Sequence, residues 1–432
     1  MYIEFPKVEG VIVQENQNNS RLPEMLTIRQ IFDDEKIIDI PGHIKKEMAK
    51  LSHKTDWFSG KRIAITSGSR GIPNIHLALK AVCDQLKEWR ALPFIVPAMG
   101  SHGGATAEGQ KEVLESFGIT EEFVGAPICS SMDVVHYGDL PDGTPLYCDK
   151  LAFKSDGIVV MHKVKPHTDF RGEHESGLLK MIAIGLGKHK GAAAIHSHGF
   201  YGFEGKIVGA AKQFLEKAPV AFAVGIVQNA YDELCTIEVI EKDDIFEADA
   251  RLLKEAKTKM AGFKFDDIDV LVIDEIGKNI SGFGFDPNIV GRSNNKSYGV
   301  NDPIQIKRLF IRGLTPESHH NGCGLAAADI TTRRCLNDVD WAPTWTNFAA
   351  CTEIQGGKIP MYLNNDRDAL LMAIRSCGGE TRPLRMARIK NTLCMFEIEV
   401  SEALYDLIKD REDVELVREA HEIEFDGEGF MV

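Results

Sequence analysis

The residues with the most chemical potential fall in one run, KVKPHTDFRGEHESGLLKMIAIGLGKHKGAAAIHSHG, from Lys163 to Gly199. It holds five histidines (His167, His174, His189, His196, His198) and five lysines (Lys163, Lys165, Lys180, Lys188, Lys190) among many glycines. Imidazoles move protons near neutral pH and ligate metals. Lysines bring positive charge or an amine nucleophile. Glycines let a backbone approach a ligand closely. The mixture reads as a reaction site.

His167 follows Pro166, which restricts the chain and helps aim the ring. His174 competes with it for the same role. Lys180 closes SGLLK and starts the apolar, helix-like run MIAIGLG. It reads equally as a snorkelling surface residue or as an amine held at a cleft. His196 and His198 are two apart and do not share a helix face, which disfavours a two-histidine helical zinc site and leaves one of them as a single metal ligand. The remaining lysines read as a positive rim.

Two further groups lie upstream. His102, in GSHGG, is poorly placed to pack a core and well placed to face a cleft, with a loop-stabilising hydrogen bond as the plain alternative. Arg70, in SGSRG ahead of a helix, reads either as part of an anion cradle or as a solvated turn residue.

These residues need elements to position them. RIAIT (62–66), PFIVPA (93–98) and GIVVM (157–161) read as strands, and each runs into one of the glycine-containing loops SGSRG, MGSHGG and HKVKPHTDFRG. A helix opened by Pro73 carries Ile75, Leu79, Val82, Leu86 and Trp89 as one apolar stripe. Another helix spans about 105–117, AFAVGIV (221–227) and CTIEVI (235–240) read as strands, and a helix covers about 245–260. This alternation predicts an α/β fold in two domains, each with a largely parallel sheet flanked by helices and with the active site in the cleft between them. The expected division is 1–265 for catalysis and cofactor binding, 266–400 for a second α/β domain opened by VLVID (270–274), and 401–432 as a helical tail. Ligands of such sheets sit beyond the carboxyl ends of the strands, so the three loops should converge.

Composition narrows the class. The chain has 432 residues, 44% hydrophobic and 26% charged, as expected of globular domains. No apolar run reaches membrane-spanning length and the N-terminus lacks a signal pattern, which predicts a cytoplasmic protein with no membrane partner. Fifty basic against 64 acidic residues give a net charge of −14, which disfavours nucleic acid. Locally the balance reverses: Lys163, Lys165, Arg171, Lys180, Lys188 and Lys190 face Asp169, Glu173 and Glu175. Such a patch suits a small anionic substrate or a phosphate-bearing cofactor. Nine scattered cysteines without a CxxC pair predict reduced thiols. No GxGxxG follows the first strand, against a conventional nicotinamide dehydrogenase.

Taken together, SGSRG, GSHGG, KPHTDF, SGLLK and the downstream histidine resemble the nickel-dependent lactate racemase family, well over residues 60–200 and loosely beyond. The resemblance implies a nickel-pincer nucleotide, a modified pyridinium mononucleotide tethered to a lysine through a thioamide, with a protein histidine completing the nickel square plane. Carried over by motif, it makes His102 and His167 the catalytic pair, Lys180 the tether, His196 the nickel ligand and cofactor contact with His198 as the spare, and Arg70 a contact to the cofactor phosphate. It implies an isomerase, a 2-hydroxy acid racemase or epimerase working by reversible hydride transfer, with cofactor-synthesis proteins as partners and room for a homo-oligomer.

The departures bear on substrate. Ser67 stands where the family has an aspartate, and extra residues separate His167 from Lys180. Arg292 is the equivalent assigned to a carboxylate-binding lysine, and His174 joins it as a substrate contact. Arg171, Glu173, His174 and Glu175 lean the expectation towards a polar substrate such as a sugar acid. The rival readings are a metal-dependent hydrolase or lyase using His102, His167 and His196 on one ion, and a non-catalytic binder of the cofactor or a hydroxy acid.

Overall fold

A computed structural model describes residues 1–10, 21–69, 72–197, 202–293, 304–350, 353–377 and 382–432. Arg70 and His198 lie outside them. The chain forms two compact units, 33–260 and a discontinuous one of 1–32 with 261–432.

Unit 33–260 is built on a five-stranded sheet in the order Leu92–Pro97, Arg62–Ser67, Gly157–Lys163, Val220–Gln228, Leu234–Glu241. The first four strands pair in parallel and the last is antiparallel. A strand covered on both faces must be apolar throughout. Ile63, Ala64 and Ile65 are accordingly all inaccessible to solvent. Alternate residues serve opposite layers. Ala64, Val96, Ile158 and Val160 pack with the helices Phe203–Lys217 and Ile245–Lys259. Ile63, Ile65, Ile95 and Val159 pack with Ile40–Met48 and Ile75–Glu88. Of the expected stripe on the helix Ile75–Glu88, Ile75, Leu79, Val82 and Leu86 are buried, and Trp89 is partly buried at the C-terminal end. Each such side chain contributes roughly 1.5–3 kcal/mol on burial.

The strand order carries the functional consequence. From Arg62–Ser67 the chain crosses to Leu92–Pro97 on one side, then returns to Gly157–Lys163 on the other. The carboxyl ends of Arg62–Ser67 and Gly157–Lys163 therefore flank a topological switch point, the place where open α/β sheets bind ligands.

The other unit has an eight-stranded mixed sheet in the order Met361–Leu363, Ile330–Thr332, Gln305–Ile311, Asp267–Ile273, Met386–Ile389, Glu397–Ser401, Met25–Gln30, Val414–His421. Its first five strands are parallel and the rest antiparallel. Both units are thus α/β with largely parallel sheets flanked by helices, as the sequence predicted.

The division differs from the expected one. Residues 1–32 belong with 261–432, because Met25–Gln30 pairs between Glu397–Ser401 and Val414–His421. The expected helical tail is one short helix, Glu402–Ile408, followed by the edge strand Val414–His421. VELVREAH has mixed helix and strand propensity, and pairing with a distant strand decides it, a choice local propensity does not contain. Among the described residues no helix is long and apolar enough to cross a membrane, and the described cysteines are free thiols.

Candidate active site

Each loop singled out in the sequence follows a strand of the five-stranded sheet, and the contacts between loops are direct. Ala98 donates its N–H to the Ser67 carbonyl at 2.8 Å, and Gly100 donates to Gly185 at 3.2 Å. A Cβ built on Gly100 would meet Ala192 Cβ at 3.4 Å, so GSHGG lies against the segment that carries Lys180 and His196. Gly68 lies over the imidazole of His162, 3.1 Å from a would-be Cβ. Thr66, Ser67, Gly68, Met161 and His162 line a narrow cavity at the switch point.

His102 is exposed, at the head of a tight turn. Gly103 and Gly104 follow with φ of 64° and 63°, and Ala105 shares that left-handed conformation at 56°. Two glycines make such a run feasible, and a Cβ at Gly103 would strike the backbone of Gly109 and Gln110. The GSHGG pattern is therefore a geometric requirement of the turn that presents His102.

His167 is buried, with 7% of its surface exposed. Its N–H donates to Glu175 Oε2 at 2.7 Å, and its ring Nδ1 accepts the Asp169 N–H at 2.9 Å. The ring lies 4.4 Å from Phe170, which packs on Phe203 at 5.2 Å; Phe203 in turn lies 4.7 Å from His196. An aromatic wall thus links the two histidines.

Lys180 ends a short turn of α-helix, Leu178–Lys180, which continues into a π-helix, Met181–Gly185. Such i→i+5 turns recur at functional sites because they displace the register of side chains. The charge of Lys180 is felt at two imidazoles. His196 is pushed down to about 4 by burial, with Lys180 adding to the effect. His162 is pushed down to about 3 by burial first, then by Lys180, Lys165 and Lys163. Both rings are neutral at physiological pH, the form that ligates metals. Lys180, His162 and His196 consequently occupy one electropositive neighbourhood at the strand ends. His162 escaped sequence reading because it closes an apolar strand; the signal was its place between a buried strand and the lysine-rich loop.

The helix Ile245–Lys259 positions this segment. Asp249, buried, accepts the Leu178 N–H at 2.6 Å and faces His174 Nδ1 at 3.0 Å. Lys257 Nζ lies 2.6 Å from Glu175 Oε1, while Glu175 also accepts the His167 N–H. Neither Asp249 nor Lys257 stood out in sequence, since their helix is an ordinary amphipathic one.

Several expected roles land elsewhere. His174, assigned to substrate, is 8% exposed, with Nδ1 on Asp249 and its ring edge-on to Phe246. Those contacts make it a brace between the loop and the helix. Of the polar residues Arg171, Glu173, His174 and Glu175, only Glu173 is exposed, and Arg171 donates to the His167 carbonyl at 3.3 Å. Lys188, assigned to a positive rim, is fully buried, whereas His189 and Lys190 are exposed. Arg292, assigned to a substrate carboxylate, lies in the other unit with Asp329 Oδ2 at 2.5 Å, and it donates to the carbonyls of Ile306 and Lys307 at 2.6 and 2.9 Å. That pattern ties a loop to the strand Gln305–Ile311. Among the described residues no group of three or more His, Cys, Asp or Glu is placed to hold a metal ion, so His102, His167 and His196 do not form one protein-only site.

Residues 41–205 match the family profile described as the lactate racemase N-terminal domain. Among solved structures, the lactate racemase apoprotein from Thermoanaerobacterium thermosaccharolyticum matches with 12% identity, covering 96% of this chain and 97% of that one at a TM-score of 0.48. No curated protein matches the sequence. The matched segment contains His102, His167, Lys180 and His196, and over it this chain is similar to the N-terminal domain of the lactate racemase family.

Proposed function

We propose that this protein is a racemase or epimerase of 2-hydroxy acids, inverting C2 by reversible hydride transfer with a nickel-pincer nucleotide tethered at Lys180. The observation that supports the reading is that the turn carrying His102 packs against the segment carrying Lys180 and His196, and that Phe170 and Phe203 link His196 to His167, all inside the residues that match the racemase domain.

The residues present suit such a group. It needs an amine for attachment, a neutral imidazole for nickel and positive charge for its phosphate. Lys180 supplies the first, His196 the second, and Lys163 and Lys165 beside His162 contribute to the third. When bound, the nucleotide would supply a hydride acceptor and a metal, with Lys180 and His196 the residues that would hold it.

The chain's own groups then handle the hydroxyl proton and exclude water. With Nδ1 accepting the Asp169 N–H, neutral His167 carries its proton on Nε2 and can hydrogen-bond the oxygen at C2; as a general acid it acts only as the imidazolium, formed when it has taken up a proton. To accept the hydroxyl proton instead, the ring must carry its proton on Nδ1, and Asp169 Oδ2 at 3.7 Å is the group placed to receive that N–H. Asp169 thus serves both forms of the same histidine. His102 provides a second acid–base group from another strand end, as inversion requires for the opposite enantiomer. Phe170 and Phe203 form an apolar wall beside His167 and His196, which limits water at the reacting carbon. The substrate is a small anionic 2-hydroxy acid. A sugar acid remains within the proposal with Glu173 as its polar contact, because His174 and Glu175 are engaged in the brace.

The test is a panel of single-enantiomer 2-hydroxy acids, deuterated at C2, incubated with cofactor-loaded protein and resolved by chiral chromatography. Loss of optical purity with deuterium kept at C2 supports hydride transfer. Inversion with washout of the label into solvent indicates C2 deprotonation and rejects the mechanism. No inversion across the panel rejects the function.

A further inference from the structure

Lys188 and Asp149 form an ion pair with no solvent exposure on either side chain, Nζ to Oδ2 at 3.3 Å. Burial lowers the Lys188 pKa and raises that of Asp149, each opposed by the charge of the other. A buried pair of this kind contributes little net stability, because desolvation of both charges offsets their attraction. The backbone at Lys188 is also left-handed, φ 54°, a conformation that a glycine adopts more readily. Two local rules are broken at one residue, and such violations concentrate at functional sites.

The contacts of the ammonium show what it holds. It donates to the carbonyl of Pro97, the last residue of the strand that leads into GSHGG, and lies 3.2 Å from Gln110 Oε1. The amide nitrogen of Gln110, itself fully buried, donates to the carbonyls of Gly100 at 2.9 Å and His102 at 3.2 Å. Asp149 is anchored in turn: its N–H donates to Leu186 at 2.6 Å and its Oδ1 accepts the Ala152 N–H at 2.8 Å. The path from Asp149 through Lys188 and Gln110 ends on the backbone of His102.

We propose that Lys188 is a positioning residue for His102, its buried ammonium fixing both ends of the GSHGG turn through Pro97 and Gln110 while Asp149 balances its charge. The proposal rests on the reading of His102 as an acid–base group. A group of that kind loses rate steeply when displaced by about an ångström. Asp149 and Lys188 touch no reacting atom.

The experiment uses three variants of the full chain: Lys188→Met, the double variant Lys188→Met/Asp149→Leu, and Gln110→Met. Lys188→Met leaves the Asp149 carboxylate buried without its cation, and its melting temperature falls. The double variant removes both charges and recovers melting temperature, while Gln110→Met leaves the pair intact. Hydrogen exchange of the Gly100, His102 and Ala105 amides is read on cofactor-free protein. We expect it to accelerate roughly tenfold or more in the double variant and in Gln110→Met, with the helix Ile75–Glu88 unchanged. In loaded enzyme the same two variants lower kcat by about tenfold or more and leave KM within about twofold, as misplacement of an acid–base group predicts. If both variants keep wild-type exchange in the turn, the pair is merely structural and the proposal is overturned. The exchange result stands without any activity, so an inactive wild type would sink the proposed function, while unchanged exchange would sink the positioning of the turn.

Discussion

His102 and His167 end loops that leave strands two apart in one sheet, and they sit in contrasting surroundings. His102 is exposed and held through its backbone, by left-handed residues at 103–105 and by the Gln110 amide. His167 is buried, with its ring between Phe170 and Phe203, Asp169 at Nδ1 and Glu175 on its N–H. The difference teaches that two histidines proposed for one kind of chemistry need not share one construction. One imidazole is placed by the shape of a turn and the other by a web of buried side chains. Substitutions near His102 should therefore act through turn geometry, and those near His167 through protonation and solvation.

The largest expected effects break the pair itself. His102→Ala and His167→Ala should each lower inversion by at least ~10²-fold, the usual cost of losing a general acid or base, measured as kcat on either enantiomer. Activity that survives His167→Ala would move the role to another group, with His174 the nearest. Asp169→Asn should sharpen the contrast. It keeps the backbone N–H that binds Nδ1 and removes the carboxylate, so it should slow the step in which His167 accepts a proton, with a smaller loss in kcat than His167→Ala. An unchanged pH–rate profile would show that Asp169 has no such part.

Smaller effects separate bracing from binding. Glu175→Gln should lower stability by about 1–3 kcal/mol, because the charged bonds to Lys257 and the His167 N–H weaken. Arg292→Ala should cost a similar amount, about 1–3 kcal/mol by denaturant melt, with KM unchanged. A tenfold rise in KM would return Arg292 to the substrate carboxylate. A last effect is read from pH dependence and concerns His162, whose pKa is lowered from 6.5 to about 3 in the folded state. Between those values the unfolded chain binds the proton and the folded protein does not. Stability therefore rises with pH across that window, is complete above 6.5, and is lost as pH falls towards 3. His162→Asn should flatten that slope in cofactor-free protein; an unaltered slope would mean that the ring is not enclosed.

Much of the loop arrangement was legible because glycine-rich loops after apolar strands leave few structural alternatives. SGSRG, GSHGG and the Pro-His loop could be joined by topology alone, whereas the roles expected of Lys180 and His196 came from the resemblance to the racemase family. What stayed hidden was decided by tertiary contact. Lys188 and Lys190 look alike in KHK, yet one is sealed against Asp149 and the other exposed. His174 sits in a loop as polar as that of His167, and only the approach of Asp249 from a distant helix makes it a brace. The strands Met25–Gln30 and Val414–His421 pair across nearly the whole chain, which no local pattern encodes.

The central claim is that Lys180 carries the reactive group, and peptide mass mapping tests it most directly. Protein made alongside the cofactor-synthesis enzymes, then denatured and digested, should yield the peptide containing Lys180 with a nucleotide-sized covalent addition. Lys180→Ala should yield none. A bare Lys180 peptide from protein that inverts a 2-hydroxy acid, or an intact adduct in Lys180→Ala, would contradict the account.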